Sequence, residues 1–263
     1  MPEKRKPGKT SEQKLVPALE RGTRILDIVA KANKSLSAAE IAREVGVARS
    51  SVHGLCTTLV QLNLLTKKPD QSYQLGPHVM RWANAFTRKS DVAAEFAAIW
   101  DQGTQLPGAT ITLSVLEGAE VVYVAARNSD MVPNFDFRIG MRLPAPFTAT
   151  GKSFLSHMND FEIRKLLEGN FPQPRTSHSV ADIDALLDEL RIVRERGYSV
   201  DDEQVAEGMV CFAASVLNSR NRPIAGVAVS LPKGGFGKDE EARIVASVKE
   251  IADEISHRLG ADI

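Results

Sequence analysis

The sequence has only two cysteines, Cys56 and Cys211, in 263 residues. Two widely separated cysteines cannot build a disulfide framework, and they form no Cys-x-x-Cys pair of the kind that binds zinc. A low cysteine content is typical of a reducing compartment. We therefore expect a cytoplasmic protein.

Long apolar runs are also lacking. The two most apolar segments, residues 110–126 and 205–217, are interrupted by Glu117, Glu120 and Glu207. Neither resembles the roughly 18 consecutive apolar residues that span a bilayer. No apolar segment follows the basic first residues, so a secretory signal is not indicated. We expect a soluble globular protein without a membrane segment.

The net charge of zero conceals an asymmetry along the chain. Residues 1–76 carry 13 Lys and Arg against 7 Asp and Glu, whereas residues 77–263 carry 20 against 26. Basic side chains that neutralise phosphates release condensed counterions, which favours binding to nucleic acid. The basic first part therefore indicates a polyanionic partner, although a solvated tail on a neutral domain would give the same count.

Three amphipathic helices are predicted in this basic part. Apolar residues recur every three or four positions over residues 15–32. Ser37 and Glu40 form a capping-box pair that predicts the start of a second helix. That helix is expected to end at Gly46, and a third helix is expected over residues 48–62.

The second and third helices have the spacing of a helix-turn-helix. Ala42 allows two helices to cross closely, Gly46 can adopt the positive φ of a tight turn, and Val52 fills the angle between them. The exposed face of the third helix begins with Arg49, Ser50, Ser51 and His53. A helix placed this way presents its N-terminal side chains to the major groove of DNA.

Two short strands are predicted after the third helix. They flank a turn at Pro69 and Asp70, and Lys67 and Lys68 lie beside that turn. These lysines are expected to approach phosphates, so residues 15–76 are interpreted as a winged helix-turn-helix domain. A winged helix used only for protein contacts is the alternative.

The remaining sequence predicts an α+β domain. Residues 1–14 are interpreted as a basic disordered arm, residues 77–90 as a linker helix and residues 91–263 as the second domain. Further helices are predicted over residues 92–106, 151–155, 182–196 and 239–259. Strands are predicted over residues 110–116, 121–126, 198–201, 209–217 and 224–231, with a turn-rich segment at 140–144.

Phosphate-loop and metal motifs are incomplete. Gly151-Lys152-Ser153 ends like a phosphate-binding loop, but Pro146 stands where that motif requires its first glycine. The histidines show no His-x3-His spacing, and Glu254 with His257 is an isolated Glu-x-x-His pair. We expect no NTPase site, no bound metal and no cofactor.

Taken together, these motifs resemble the IclR family of bacterial transcriptional regulators. The resemblance rests on Ala18-Leu19-Glu20-Arg21-Gly22, on residues 41–59, on Tyr73-Gln74-Leu75-Gly76 and on segments near residues 148–152 and 197–214. It implies a winged-helix DNA-binding domain, a linker helix and a GAF-like effector-binding domain. We expect a repressor that binds operator DNA as a homodimer or a dimer of dimers.

The resemblance also assigns a small-molecule pocket. Residues 148–152 are similar to the loop-to-helix segment that lines the effector pocket in the family. The ligand positions carried over are Ala149, Thr150, Gly151, Asp201, Cys211 and Ser230. The DNA-binding residues expected are Ser37, Arg49, Ser50, Ser51, His53, Lys67 and Lys68. The implied effector is a small organic acid, a lactone or a semialdehyde.

Two positions depart from the family pattern. Gly54 replaces a larger, often basic residue after His53, and Ala228 replaces a serine two residues before Ser230. A glycine inside a helix costs about 1 kcal/mol relative to alanine and removes a possible DNA contact. The missing serine predicts a ligand that is less polar, or differently oriented, than a compact keto acid.

An alternative comes from another functional class. Cys211 could be the nucleophile of a thiol enzyme, with Asp201 nearby, joined to a DNA-binding module. A cysteine on an apolar strand is more typical of a small buried hydrophobic residue, and no histidine lies close in sequence to activate it. We therefore expect a regulator without enzymatic activity.

Overall fold

The computed structural model describes residues 16–89, 91–101, 106, 108–129 and 135–263. The arm predicted for residues 1–14, and Ser90 at the predicted domain boundary, lie outside these ranges. The chain divides into two compact units, Met1–Phe86 and Thr87–Ile263. In the described ranges, no helix is both long and apolar enough to cross a membrane.

The first unit consists of helices around one core and a two-stranded sheet. Its elements are α1 (Pro17–Lys31), α2 (Ala38–Val45), α3 (Arg49–Gln61), β1 (Leu65–Lys67) and β2 (Tyr73–Leu75), with α4 (His78–Lys89) following. β1 and β2 pair antiparallel, with Leu65 opposite Leu75. The three predicted helices and the predicted wing are confirmed, with ends that differ by one or two residues.

The apolar stripes of the first three helices meet in that core. Ile25 of α1, Ile41 of α2 and Val52 of α3 are each completely buried. Burial of one such side chain contributes about 1.5 to 3 kcal/mol, so packing rather than helix propensity holds these short helices. The periodicity therefore located Ile25, Ile41 and Val52 in the core, but Leu19, which belongs to the predicted apolar stripe of α1, is 71% exposed.

The second unit is a sheet covered by helices on both faces. Its elements are α5 (Asp91–Asp101), β3 (Thr110–Glu117), β4 (Glu120–Arg127), β5 (Arg142–Pro144), α6 (Ala149–Leu155), α7 (Asp160–Leu167), α8 (Ile183–Arg196), β6 (Ser199–Asp202), β7 (Met209–Leu217), β8 (Pro223–Pro232) and α9 (Lys238–Arg258). The six strands run antiparallel in the order β5-β4-β3-β8-β7-β6. This confirms the predicted α+β class.

Alternate residues of the central strands enter two different cores. On β7, Phe212 and Val216 pack with α5 and α9, whereas Cys211 and Ala213 pack with α6, α7 and α8. Because side chains of a strand alternate between faces, a strand covered on both sides is apolar throughout. The face that carries Cys211 is the one that holds the polar residues discussed below.

Apart from the start of α6, the structure differs from the sequence predictions at three places. The helix predicted over residues 92–106 ends at Asp101, residues 102–105 lie outside the described ranges, and Leu106 is not helical. Leu106 precedes Pro107, whose ring disfavours a helical conformation in the residue before it. The other two differences are elements that were not predicted.

Helix α7 and strand β5 are those elements. Asn159 and Glu162 form a capping box at the start of α7, a signal that the sequence contained. β5 lies in the segment interpreted as turn-rich and is only three residues long, so only its pairing with β4 reveals it as a strand. In addition, α6 begins at Ala149 and not at Gly151, because Thr148 caps it.

Candidate functional site

The turn between α2 and α3 has the geometry that the sequence predicted. Gly46 adopts φ of +76° and donates its N–H to the carbonyl of Ala42 at 3.0 Å. Residues with a Cβ are strained in this conformation, so glycine suits the turn. Val52 lies buried just beyond it. The loop at Gly46 thereby directs the first helical turn of α3 away from the core of the first unit.

The first turn of α3 exposes the polar residues expected to bind DNA. The side chains of Arg49, Ser50, Ser51 and His53 are exposed. Within the described ranges, none of these four side chains makes a hydrogen bond or an ion pair, although the backbone carbonyl of His53 accepts from the Thr57 hydroxyl at 2.8 Å. Gly54 lies on the same surface, and a Cβ built there would meet nothing within 4 Å. Packing therefore does not require the glycine at position 54.

Ser37, another residue expected to bind DNA, caps α2. Its Oγ accepts from the N–H of Glu40 at 3.3 Å and donates to the Glu40 carboxylate at 2.8 Å. Hydrogen bonds from Lys34, and then from Ser37, lower the pKa of Glu40 to about 2. The capping box is thus formed in full, and the Ser37 hydroxyl is engaged inside the domain.

The wing carries two exposed lysines. Lys67 ends β1, and Lys68 donates its backbone N–H to the carbonyl of Ser72 at 2.8 Å. Asp70 closes the turn by accepting from the N–H of Ser72 at 3.0 Å and from its hydroxyl. The turn is therefore built from its own backbone and from Asp70, which leaves both ammonium groups open to solvent.

The second unit contains a small internal cavity between its sheet and α6. The cavity volume there is about 10 Å³, close to what one water molecule needs. Its walls include both polar and apolar groups, from β3, β4, β6, β7, β8 and the start of α6. The lining residues are Thr112, Tyr123, Phe137, Thr148, Ala149, Thr150, Asp201, Val205, Met209, Cys211, Ala228 and Ser230.

The strand register brings three of the expected ligand residues together. Asp201 on β6 lies opposite Cys211 on β7, and Cys211 lies opposite Ser230 on β8. Residues directly opposite each other on neighbouring strands share a face of the sheet. The Ser230 hydroxyl contacts the Cys211 sulfur at 3.1 Å. These three residues therefore form one polar row on the cavity wall.

Asp201 is the acidic group of this row and is almost completely buried. Its Oδ1 accepts from the backbone N–H groups of Gln204 at 2.7 Å and Val205 at 3.2 Å. Burial raises the pKa of Asp201 to about 6, against the opposing effects of the Lys152 charge and these hydrogen bonds. Asp201 can therefore exchange a proton near neutral pH, and its protonated form is a hydrogen-bond donor.

A buried lysine links the elements that surround Asp201. Lys152 is 1% exposed, and its Nζ donates to Glu189 Oε2 at 2.5 Å and to the carbonyl of Val200 at 3.0 Å. Glu189 also accepts from the amide of Gln204 at 2.8 Å. A buried ammonium needs such partners to remain in the fold. This network joins α6 and α8 to the strand and loop that hold Asp201.

Cys211 does not have the surroundings of a nucleophile. Burial, and next the negative charge of Asp201, raise the pKa of its thiol well above the ordinary value. A reactive cysteine requires the opposite, an electropositive and accessible position that lowers the thiol pKa. The geometry therefore gives no support to the thiol-enzyme alternative.

The start of α6 forms the remaining part of the cavity wall. Thr148 Oγ1 accepts from the N–H of Gly151 at 3.0 Å, and Thr150 Oγ1 bonds to the Ser114 hydroxyl at 2.9 Å. The N–H groups of a first helical turn have no partner inside the helix and favour oxygen acceptors. Ala149 and Thr150 belong to that turn and line the cavity.

Matches to two family models assign the chain to a family. The model described as "Bacterial transcriptional regulator IclR C-terminal" matches residues 84–257, and the "IclR helix-turn-helix domain" matches residues 18–69. The chain belongs to the IclR family. The first unit is accordingly the helix-turn-helix domain of an IclR-family regulator, and the second contains its C-terminal domain.

Similar proteins of this family cover nearly the whole chain. The Agobacterium tumefaciens repressor BlcR has a crystal structure that is 43% identical, covers 94% of this chain and 99% of that one, and has a TM-score of 0.63. The transcriptional repressor IclR of Escherichia coli K12 is 26% identical over 93% of this chain and 90% of its own length. Both names describe repressors.

A third similar structure was solved with a small acid. It is an IclR homolog from Microbacterium hydrocarbonoxydans complexed with 4-hydroxybenzoate, with a TM-score of 0.77 over 92% of this chain and 98% of that one. At 20% identity, this likeness concerns the fold alone.

Five of the six expected ligand residues line the cavity of this IclR-family chain. Gly151 does not, because its N–H bonds to Thr148 and the backbone of Ala145 lies against its Cα. Among the other lining residues, the sequence analysis also indicates Thr148 and Ala228, but not Thr112 or Tyr123. The alternation of Thr110, Thr112 and Ser114 along β3 was the signal that could have found Thr112.

Proposed function

We propose that this IclR-family regulator represses transcription from the cytoplasm, with the exposed start of α3 in the major groove of its operator. Lys67 and Lys68 of the wing contact phosphates, and the DNA-bound form is a homodimer or a dimer of dimers. Helix-turn-helix proteins read two half-sites with two such helices, which is why we propose an oligomer. The whole protein acts as a binding regulator without a catalytic step.

We infer further that the second unit senses a small organic acid, or a lactone or semialdehyde related to one. One observation carries this inference: a small cavity of about 10 Å³ lies between the Asp201, Cys211 and Ser230 row and the first turn of α6. Preformed ligand sites measure roughly 300 Å³ or more, so the walls of this cavity must move apart to admit even a compact acid. The acid bound by the Microbacterium homolog is of the same kind.

The chemistry of the cavity favours an acid over a neutral or cationic ligand. The first-turn N–H groups of α6 are suited to a carboxylate. A protonated Asp201 can donate to that carboxylate, whereas an ionised Asp201 would repel it. Because the Asp201 pKa is raised to about 6, we propose that acids bind more tightly as the pH falls toward 6.

Two variants distinguish side chains that recognise the operator sequence from side chains that contact the DNA phosphates. Lys67→Ala should weaken specific and random DNA alike and reduce the slope of log K against log salt by about 1, because one phosphate contact is lost. Arg49→Ala should cost about 1 to 3 kcal/mol on the operator and less on random DNA. Fluorescence anisotropy at several salt concentrations measures both effects.

The control for these variants is Lys238→Ala, which removes an exposed lysine at the start of α9. It should leave DNA affinity unchanged. If Arg49→Ala lost equal affinity for operator and random DNA, Arg49 would not recognise the operator sequence. If the wild type binds no DNA in a salt-dependent manner, the proposed use of the α3 surface is wrong.

A thermal-shift series tests the sensor. Short carboxylic acids, lactones and semialdehydes are titrated with the wild type at pH 6 and at pH 8, and active compounds are then added to the operator complex. A ligand at 100 times its Kd stabilises the fold that it binds by about 2.7 kcal/mol. We expect a larger shift at pH 6 for acids and a changed operator affinity. No shift with any compound would contradict the sensor proposal.

A further inference from the structure

The second unit also contains a larger cleft, at the opposite end of α6 from the small cavity. The volume of this cleft is about 340 Å³. Preformed sites for small molecules measure roughly 300 to 1,000 Å³. The walls come from α6, α8, β7 and α9, and none of the lining residues also lines the cavity. The cleft can therefore admit a compact molecule without movement of its walls.

The cleft lies where the edge of the sheet is incomplete. β6 is the edge strand beside β7, and their pairing stops at Ser199 opposite Ala213. Residues 214–217 of β7 continue beyond that point, and no described strand pairs with them on this side. The chain enters β6 from α8 through a left-handed turn at Gly197, whose φ is +75°. The space beside the exposed part of β7 is therefore left open between α8 and α9.

The most buried residues of the cleft are small or apolar. Val193 of α8 and Ala214 of β7 are buried, and Leu217 is half-buried. The hydroxyls of Ser153 on α6 and Ser215 on β7 are hydrogen-bonded to each other at 2.6 Å. Sites for small molecules combine such apolar walls with a few polar groups that fix the orientation of the ligand. The inner part of this cleft therefore suits the apolar portion of a ligand.

Two opposite charges line the same cleft. Lys249 and Asp253 are one turn apart on α9, and neither side chain has an ion pair or hydrogen bond within the described residues. A Cβ at Gly197 would lie 3.4 Å from Lys249 Nζ, so the ammonium lies beside the end of α8. The dipole of a helix favours a cation at this end. Lys249 is thereby held at α8 and not against Asp253.

The other basic side chain of the cleft is already engaged. Arg194 donates to the carbonyls of Ser156 at 3.0 Å and Met158 at 2.9 Å, and it pairs with Asp160 at 3.3 Å. Lys249 is therefore available to an anionic group of a ligand, and Asp253 is available to a cationic group. A ligand with a single charge would leave one of these two groups unpaired.

We propose that this cleft is a second ligand site and that it binds a free amino acid with an apolar side chain. The amino acid carboxylate pairs with Lys249, and its ammonium pairs with Asp253. Its side chain lies against Val193, Ala214 and Leu217. The site is separate from the cavity proposed to sense acids, so the regulator would bind two different metabolites on one domain.

The test compares leucine with two derivatives that each lack one charge. N-acetyl-leucine has no ammonium, and leucinamide has no carboxylate. NMR titrations of the full-length wild type, which measure millimolar affinities, should show that leucine binds more tightly than either derivative and more tightly than aspartate. We expect a loss of about tenfold for leucinamide, because Lys249 is half-buried, and of about threefold for N-acetyl-leucine, because Asp253 is exposed.

Two variants assign these losses to the cleft. Lys249→Gln should bind leucine about tenfold more weakly but leave the affinity for leucinamide within about twofold. Asp253→Asn should bind leucine about threefold more weakly and leave the affinity for N-acetyl-leucine within about twofold. The matched control is Glu250→Gln, since Glu250 is an exposed acid on the same helix that does not line the cleft. It should bind leucine as the wild type does.

Three results would overturn the proposal. They are a wild type that binds no amino acid, equal affinity for leucine and its two derivatives, and an equal loss for Glu250→Gln and Lys249→Gln. Competition between leucine and an acid that stabilises the protein would also contradict it, because the two sites share no residue. The acid-sensing proposal is tested separately by the thermal-shift series, so failure of one does not imply failure of the other.

Discussion

Gly151→Ala is expected to destabilise the second unit by about 3 kcal/mol or more. A Cβ at this position would lie 2.2 Å from the carbonyl oxygen and 2.4 Å from the Cα of Ala145. Both are backbone atoms, which cannot move aside as the end of a flexible side chain can. α6 would have to shift, and with it Ala149 and Thr150 on the cavity wall.

The measurement is thermal unfolding, with the acid response recorded on the same samples. For a unit of this length, about 3 kcal/mol corresponds to a fall in Tm of about 10 °C. Gly237→Ala is the control, because a Cβ there meets nothing within 4 Å; it should change stability by less than about 1 kcal/mol. A Gly151→Ala variant with the wild-type Tm would contradict the close packing of α6 against Ala145.

Asp201→Asn is expected to stabilise the protein near neutral pH and to make its response to acids independent of pH, because the amide donates at every pH and carries no charge. Burial raises the pKa of Asp201 from its ordinary 3.8 to about 6. The folded state holds this proton more tightly than the unfolded state does. The stability that the protonated Asp201 contributes is therefore fully present below about pH 4 and is lost as the pH rises through 6. The loss reaches about 3 kcal/mol at pH 7.

The asparagine variant avoids this loss because it carries no ionisable group. Its Oδ1 can still accept from the N–H groups of Gln204 and Val205. Burial of the amide NH₂ offsets part of the gain. We therefore expect the variant to be more stable than the wild type by about 2 kcal/mol at pH 7.5 and by almost nothing at pH 4. Denaturant unfolding across this pH range measures the difference.

Asp202→Asn is the matched control on the same strand. Asp202 is exposed and pairs with Lys233 at 2.8 Å, so its loss should change stability by less than about 1 kcal/mol and leave ligand binding intact. An Asp201→Asn variant whose response to acids still strengthens as the pH falls toward 6 would show that Asp201 does not set the pH dependence of acid binding. A variant that is less stable than the wild type at pH 7.5 would contradict the raised pKa.

The first unit was predicted well from its sequence because its signals are local. The capping box of Ser37 with Glu40 and the left-handed turn at Gly46 act over four residues or fewer. The apolar period that places Ile25 and Val52 in the core is also readable along the chain. Arg49 and its neighbours then had to be exposed, because they lie opposite that stripe.

The second unit was predicted less completely. The long strands and helices were located, but β5 has only three residues and gains its identity from β4. The pocket residues came from a family resemblance and not from local pattern. Gly151 is an example. The family resemblance assigns it to the ligand site, whereas in the structure the backbone of Ala145 leaves no room for a Cβ at this position.

The sequence by itself determined the basic winged helix-turn-helix domain, the α+β class of the second unit and the family to which the chain belongs. Capping, turns and side-chain periodicity act between near neighbours, so the linear order contains them. Only the tertiary structure decided that Asp201, Cys211 and Ser230 form one row and that, within the described ranges, the buried Thr112 hydroxyl has no hydrogen-bond partner. Those properties depend on strand register and on helix packing between residues far apart in the chain, and the burial they produce sets the pKa values and unpaired groups of the cavity.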